Sequence, residues 1–568
     1  MSKKTTDSDL LLVNKADNYE DTVYVQLDMK KEIIDSDKRI FMLIAGVGAG
    51  KNYWVKKLSE AGNEEDGYAE HGYKVLLITS RRATVEAQTI ELNADNNFHF
   101  WDLYDQDAEW GVRPNGQKVV CCTNSYIEFF AKNLYDPHNP KTHVWNMFDF
   151  IILDEVHSMA CDATFSEAPF YVCSFLKHAY RNSSKCRIVM MSGTPKPVTW
   201  LYDTKGCEKH VHTIDLYDKC RHVEPKKVWF YPKINIAADI AYELKKGERI
   251  VYFATQTDHM KQLITELNEK GIPNEWIGIS YSDDPEKDKK FDEALVRKRR
   301  CISEYLAKYK GIPEHVRILI TTSKNKEGIN IEDTDIKTMI IESHQRDEVI
   351  QMAGRVRKDL DHLIVLHDAQ QHSSTYDPDI CALSFASCAS ANKILENKRT
   401  KVTFDLQKFI PKIVKQLPYL RYNPFTEQFE KYYGSAVGHR LTYRAEHDFQ
   451  AYVDLWRSPL DNDCYIGEDF FREWFPSAKF TLYEAPFLDE TVWAYIRTYK
   501  LLDRVFSLEE RDALVAMVME SIKTHEQNPE RLITSDMKSP GPIMKRLKYT
   551  LKKAAGVRNG EGFKLTRM

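Results

Sequence analysis

The run Ala45-Gly46-Val47-Gly48-Ala49-Gly50-Lys51-Asn52 lies between the apolar stretch Arg39-Ile40-Phe41-Met42-Leu43-Ile44 and a segment that opens Tyr53-Trp54-Val55-Lys56-Lys57-Leu58. A buried strand, a glycine loop and a helix in that order constrain this chain more than any other feature. The glycines let several backbone N–H groups converge on one polyphosphate, which needs backbone angles and a close approach that side chains would block. The helix that follows adds its positive end, and the Lys51 ammonium reaches the outer phosphates as a point charge. Ala45, Gly46, Val47, Gly48, Ala49, Gly50, Lys51 and Asn52 are therefore expected to cradle the phosphates of a nucleotide.

A second run, Asp149-Phe150-Ile151-Ile152-Leu153 followed by Asp154-Glu155, sets two carboxylates at the carboxyl end of another apolar strand. Open α/β sheets bind ligands at that edge. One acid there can hold magnesium and the next can orient the attacking water, so Asp154 is expected in the metal role and Glu155 in the water role. Acidic pairs at strand ends are also common as loop caps. Paired with the loop upstream, this one points to a nucleoside triphosphate.

The chain has 568 residues, too many for one core, and three or four domains are expected. A formal net charge of −4 excludes a globally basic nucleic-acid binder, so any such binding must come from a local positive surface. The 11 cysteines are scattered without a C-x-x-C pair and read as reduced, buried thiols of an intracellular protein. Leu10-Leu11-Leu12-Val13 is interrupted at once by Asn14 and Lys15, unlike a signal peptide, and no stretch approaches the roughly 20 apolar residues of a membrane span. A cytoplasmic protein is expected, with residues 1–20 a flexible tail.

From about residue 38 to 194, short apolar runs such as Val75-Leu76-Leu77-Ile78 and Ile188-Val189-Met190-Met191 alternate with amphipathic stretches such as Thr84 to Leu92. Alternation of this kind implies an α/β fold with a parallel sheet covered on both faces. A second series runs from Lys227-Val228-Trp229-Phe230 to Leu363-Ile364-Val365-Leu366 without a glycine loop of its own. It carries Gln351-Met352-Ala353-Gly354-Arg355-Val356-Arg357, which reads as helical. Two arginines two apart on a helix do not share a face. The expected division is 21–215 and 216–400 for the two sheet domains. Residues 401–568 form a mainly helical, aromatic-rich region, broken at Pro411, Pro418, Pro424, Pro459, Pro476 and Pro486.

Taken together, these motifs resemble the superfamily 2 helicases and translocases of the DEAD/DEAH-box kind over residues 38 to 370, with Asp154-Glu155-Val156-His157 as a DEVH variant of the box. Ala45, Gly48, Gly50 and Lys51 match the first motif, and Ser192-Gly193-Thr194 looks like the third. Thr79-Ser80-Arg81-Arg82 and Thr123-Asn124 occupy the places of strand-contacting motifs. Thr321-Thr322 with Glu327-Gly328-Ile329-Asn330 resembles the fifth motif, and Gln351, Gly354, Arg355 and Arg357 resemble the sixth.

The resemblance implies two tandem RecA-like domains that close on ATP and magnesium. Lys51, Asp154, Glu155, Gln351, Arg355 and Arg357 would form the catalytic set, and Asn52 and Asp154 the metal set. His157, Ser192, Thr194 and Gly328 would couple the site to the strand. Arg81, Arg82, Thr123, Thr321 and Thr322 would touch nucleic acid. Two departures stand out. Asn52 replaces the Ser or Thr whose hydroxyl normally coordinates magnesium, and the second arginine of the sixth motif comes one position early, leaving Lys358 in its usual place.

Cations outside the motifs are Arg297-Lys298-Arg299-Arg300 and a basic run from Lys538 onward, compatible with a small basic helix or a disordered arm. The leading expectation is an ATP-dependent helicase or translocase acting on DNA in replication, repair or mobile-element biology. A nucleotide-gated DNA-binding, origin-recognition or defence factor with weak ATPase, and an RNA helicase, both stay open.

Overall fold

The computed structural model describes residues 25, 27–80, 98–101, 118–194, 210–220, 224–232, 236–281, 285–322, 330–333, 335–343, 345–357, 359–367, 376–400, 404–457, 474–482, 496, 499–502, 504–525, 549–553 and 562–567. The first apolar series forms β1 (Ile40–Ile44), β2 (Val75–Thr79), β3 (Phe98–Trp101), β4 (Val119–Thr123), β5 (Phe150–Leu153), β6 (Arg187–Ser192) and β7 (Val211–Asp215). They pair in the order β3-β4-β2-β5-β6-β1-β7, every pair parallel. Because successive side chains point to opposite faces, each strand feeds two cores. Leu76, Ile78, Ile151, Leu153, Ile188 and Met190 enter one cluster; Val75, Leu77, Phe150, Ile152, Val189 and Met191 enter the other. Burial on both faces is why these strands read as unbroken apolar runs.

The second series repeats this plan with β8 (Lys227–Pro232), β9 (Arg249–Phe253), β10 (Ile277–Ser280), β11 (Ile318–Thr321), β12 (Ile336–Glu342) and β13 (His362–His367). Val251, Met339, Ile341 and Val365 face one core, while Ile250, Tyr252, Ile340 and Ile364 face the other. The architecture is therefore α/β, two tandem parallel sheets followed by a region rich in helix.

That last region holds helices Pro378–Ala386, Cys388–Arg399, Leu406–Gln416, Tyr433–Arg457 and Leu508–His525, and also strands that the sequence reading did not foresee. β14 (Leu420–Asn423) and β15 (Gln428–Lys431) form an antiparallel hairpin. β16 (Lys479–Leu482) pairs in parallel with β8 and extends the second sheet to β10-β11-β9-β12-β13-β8-β16. The described parts of the basic tail are strands, not a helix: β18 (Tyr549–Lys553) and β19 (Phe563–Arg567) pair antiparallel, and β19 also pairs with β17 (Val505–Phe506) upstream of the tail. Nor does Pro411 break its helix, which runs through it from Leu406 to Gln416. Among the described residues no helix is long and apolar enough to cross a membrane, and residues 1–20 and Thr84 to Leu92 lie outside them.

Candidate nucleotide site between the lobes

β1 delivers the chain to the glycine loop at the carboxyl edge of the first sheet. Gly48 and Gly50 adopt left-handed backbone angles, φ 88 and 83, which side chains rarely tolerate. The helix Lys51–Ser59 starts there, and the buried Lys51 ammonium donates to the carbonyls of Ala45 (3.0 Å) and Gly46 (3.1 Å). Asn52 is partly exposed on the first turn.

β5 delivers the acid pair to the same edge. Glu155 also takes a left-handed angle, φ 50, unusual for a long side chain. Its N–H donates to Asp154 Oδ1 (3.0 Å), and the Val156 N–H donates to the Met191 carbonyl (2.9 Å), tying the turn to β6. His157 Nδ1 lies 3.1 Å from Ser192 Oγ and 3.4 Å from Glu155 Oε2, and Ser192 Oγ accepts the Thr194 N–H at 2.9 Å. Burial, then the neighbouring Glu155 charge, pushes the Asp154 carboxyl up to about 7 against the opposing pull of Lys51 and Arg355.

In the second lobe the helix Arg346–Ala353 ends before the arginines. Gln351 is helical, but Arg355 and Arg357 flank Val356, which bridges to Ile331: the Ile331 N–H donates to the Arg355 carbonyl (2.8 Å) and the Arg357 N–H to the Ile331 carbonyl (2.9 Å). This corrects the helical reading of the pair. In an extended segment residues two apart share a face, so both guanidinium groups reach the first lobe.

Gln351 Nε2 donates to Glu155 Oε2 (3.3 Å) and to Thr194 Oγ1 (3.2 Å). Arg355 donates to the Gln351 carbonyl and to Gln351 Oε1, each at 3.1 Å, and its Nη2 stands 3.7 Å from Glu155 Oε1. Arg357 donates to the Gly354 carbonyl (3.3 Å) and to Asn330 Oδ1, and a Cβ built on Gly48 would sit 3.0 Å from its Nη1. A Cβ on Gly354 would come within 2.5 Å of Val47 Cγ1, so the lobes meet at a distance that glycine alone permits. Loop, acid pair and arginines thus form one constellation.

Of the residues expected to contact a nucleic-acid strand, Thr123, Thr321 and Thr322 are described. Thr123 caps the helix Asn124–Asn133 by accepting the Tyr126 N–H at 3.2 Å. Thr321 and Thr322 are buried, and the Thr321 hydroxyl donates to the Ser280 carbonyl (2.9 Å) of the neighbouring strand. Arg81, Arg82, Gly328 and Lys358 lie outside the described residues. In the internal basic cluster Arg299 is buried, pairs with Asp288 at 3.3 Å and stacks over Tyr281. Lys298 donates to the carbonyls of Asn274 and Glu275, leaving Arg297 and Arg300 exposed. Sequence reasoning gave Asn330 no individual role, although it anchors Arg357. It also missed Glu342, a buried acid at the end of β12 bonded to Tyr252, Thr255 and His259. An acid closing an otherwise apolar strand was the signal available.

No protein-family model matches the chain and no curated protein is similar to it. Among solved structures it is similar to S. cerevisiae Dbp5 bound to RNA and ADP BeF3, at 14% identity and TM-score 0.43, covering 63% of this chain and 87% of that one. It is also similar to the Mycobacterium smegmatis helicase Lhr bound to ssDNA and AMP-PNP, at 13% identity and TM-score 0.42, covering 71% and 57%. A third is the helicase MrfA bound to DNA, at 14% identity and TM-score 0.40, covering 72% and 60%.

Proposed function

We propose that the chain is an ATP-dependent nucleic-acid helicase or translocase whose catalytic site closes between its two sheet lobes. One observation carries this: Gln351, Arg355 and Arg357 of the second lobe meet Glu155, Thr194 and Gly48 of the first. ATP would place its phosphates in the loop Ala45 to Asn52, and Lys51 would exchange its two carbonyl partners for phosphate oxygens. Glu155 orients the attacking water. Arg357, lying against the loop, neutralises charge on the transferring phosphoryl group, while Arg355, buried and bonded to Gln351, holds Glu155 in place.

Magnesium fits Asp154 and Asn52, two oxygen donors beside the loop, and when bound it supplies charge neutralisation at the phosphates. Because burial and Glu155 raise the Asp154 carboxyl, a divalent cation binding there would release a proton. The bonded series Glu155–His157–Ser192 and Thr194–Gln351 offers a route by which nucleotide state reaches the nucleic-acid side.

DNA is the proposed strand, with RNA the competing substrate. Turnover measured with single- and double-stranded DNA and RNA at two salt concentrations tests the reading. Stimulation by a polynucleotide, abolished by Lys51→Ala and Glu155→Gln, is expected, and turnover indifferent to every nucleic acid opposes it. Asn52 favours a second reading, a nucleotide-gated DNA-binding protein with reduced hydrolysis. Tight ATP-dependent binding without strand displacement, together with sharply faster turnover in Asn52→Thr, would select it.

A further inference from the structure

The helix Tyr433–Arg457 belongs to neither sheet yet touches the carriers of both halves of the site. Gly434, Gly438 and Thr442 recur every fourth residue and so lie along one face of it. The two glycines press on the short helix Ser158–Cys161, which begins immediately after His157. A Cβ on Gly434 would lie 3.1 Å from the Met159 carbonyl oxygen, and one on Gly438 only 2.2 Å from that of Ala160. Just before this face, the Tyr432 hydroxyl donates to the Ser166 carbonyl at 2.6 Å. One turn beyond Gly438, Thr442 Oγ1 accepts a hydrogen bond from Gln345 Nε2 at 3.0 Å. Gln345 is the N-terminal flanking residue of Arg346–Ala353, the helix that carries Gln351.

We propose that the Gly434–Gly438–Thr442 face is a tie that fixes the segment behind Glu155 relative to the segment bearing Gln351, with Gln345 and Thr442 as positioning residues for the interlobe site. Neither residue touches the nucleotide loop or the acid pair; both act through helix Arg346–Ala353. The effect on turnover rests on the function proposed above, whereas the tie itself is a property of the unliganded protein.

The test uses the full chain with Thr442→Val, Thr442→Ser, Gln345→Ala and the Thr442→Val/Gln345→Ala double variant. Hydrogen exchange of the peptide spanning 345–353, without nucleotide, reads the tie directly. Faster exchange in Thr442→Val and Gln345→Ala, and wild-type exchange in Thr442→Ser, are expected; unchanged exchange in Thr442→Val overturns the tie whatever the enzyme's activity. Steady-state turnover then reads the consequence: kcat is expected to fall about tenfold in either single variant, with KM for ATP nearly constant and the double variant no slower than the slower single. Multiplicative losses in the double variant, or a KM change with kcat intact, overturn the positioning role. If wild type and Lys51→Ala hydrolyse ATP equally, the nucleotide reading fails, and the exchange result still decides the tie.

Discussion

Asp154 is buried beside a second carboxylate, and its raised pKa has a definite sign in stability. Between the ordinary aspartate value of about 3.9 and about 7 the native state holds more protons than the unfolded chain, so stability from this group falls as pH rises through that window. Unliganded Asp154→Asn should therefore lose less thermal stability than wild type between pH 5 and pH 8, and parallel melting profiles for the two would refute this. Arg357 sits against Gly48, whereas Arg355 is engaged with Gln351 and Glu155. Arg357→Ala is expected to lower kcat about 10³-fold with nucleotide affinity little changed; an equal loss in binding would make Arg357 a mere phosphate clamp. At this scale the glycine loop and the acid pair were legible, because their chemistry is local to the backbone. The common face of the two arginines was not, since it depends on a helix stopping at Ala353 and on a bridge to Ile331 twenty-odd positions earlier. Gly354 was the readable stop signal.

The same glycine illustrates what an element end can demand. Gly354 has an ordinary right-handed angle, φ −70, so it is required for room against Val47 and not for conformation. Gly354→Ala should leave the circular dichroism unchanged while lowering turnover about 100-fold, because the lobes can no longer approach fully; wild-type turnover would show that Val47 yields. Strands buried on both faces announce themselves as apolar runs, which is why β2, β5, β6 and β12 were legible. β16 was not. It is four residues long, and its partner β8 lies far away in the chain, so nothing local marks Lys479–Leu482 as part of a sheet. Pro411 misled for the opposite reason: Phe409, Ile410, Ile413 and Val414 pack on the cluster around Leu420 and Phe429, and that packing outweighs the lost backbone bond.

Across the whole molecule, the C-terminal region is anchored in both lobes. Phe425 enters the first core, its ring 4.6 Å from Tyr135 and 5.3 Å from His178, while Trp474 and Phe475 complete one core of the second. Phe425→Ala and Trp474→Ala should each cost about 3–5 kcal/mol, but in different places. Hydrogen exchange is expected to loosen Tyr433–Arg457 and the first lobe in one variant and the second sheet in the other; identical exchange maps would argue against separate anchors.

β16 closes the edge of a sheet whose other strands all precede it in the chain. On the ribosome, β8 to β13 emerge with that edge bare and Trp474 and Phe475 still unmade, an interval of roughly ten seconds at ordinary elongation rates. The nascent second lobe is therefore expected to need protection from aggregation, and a stop codon between β13 and Trp474 should yield insoluble product even though the strands of both sheets before it are intact.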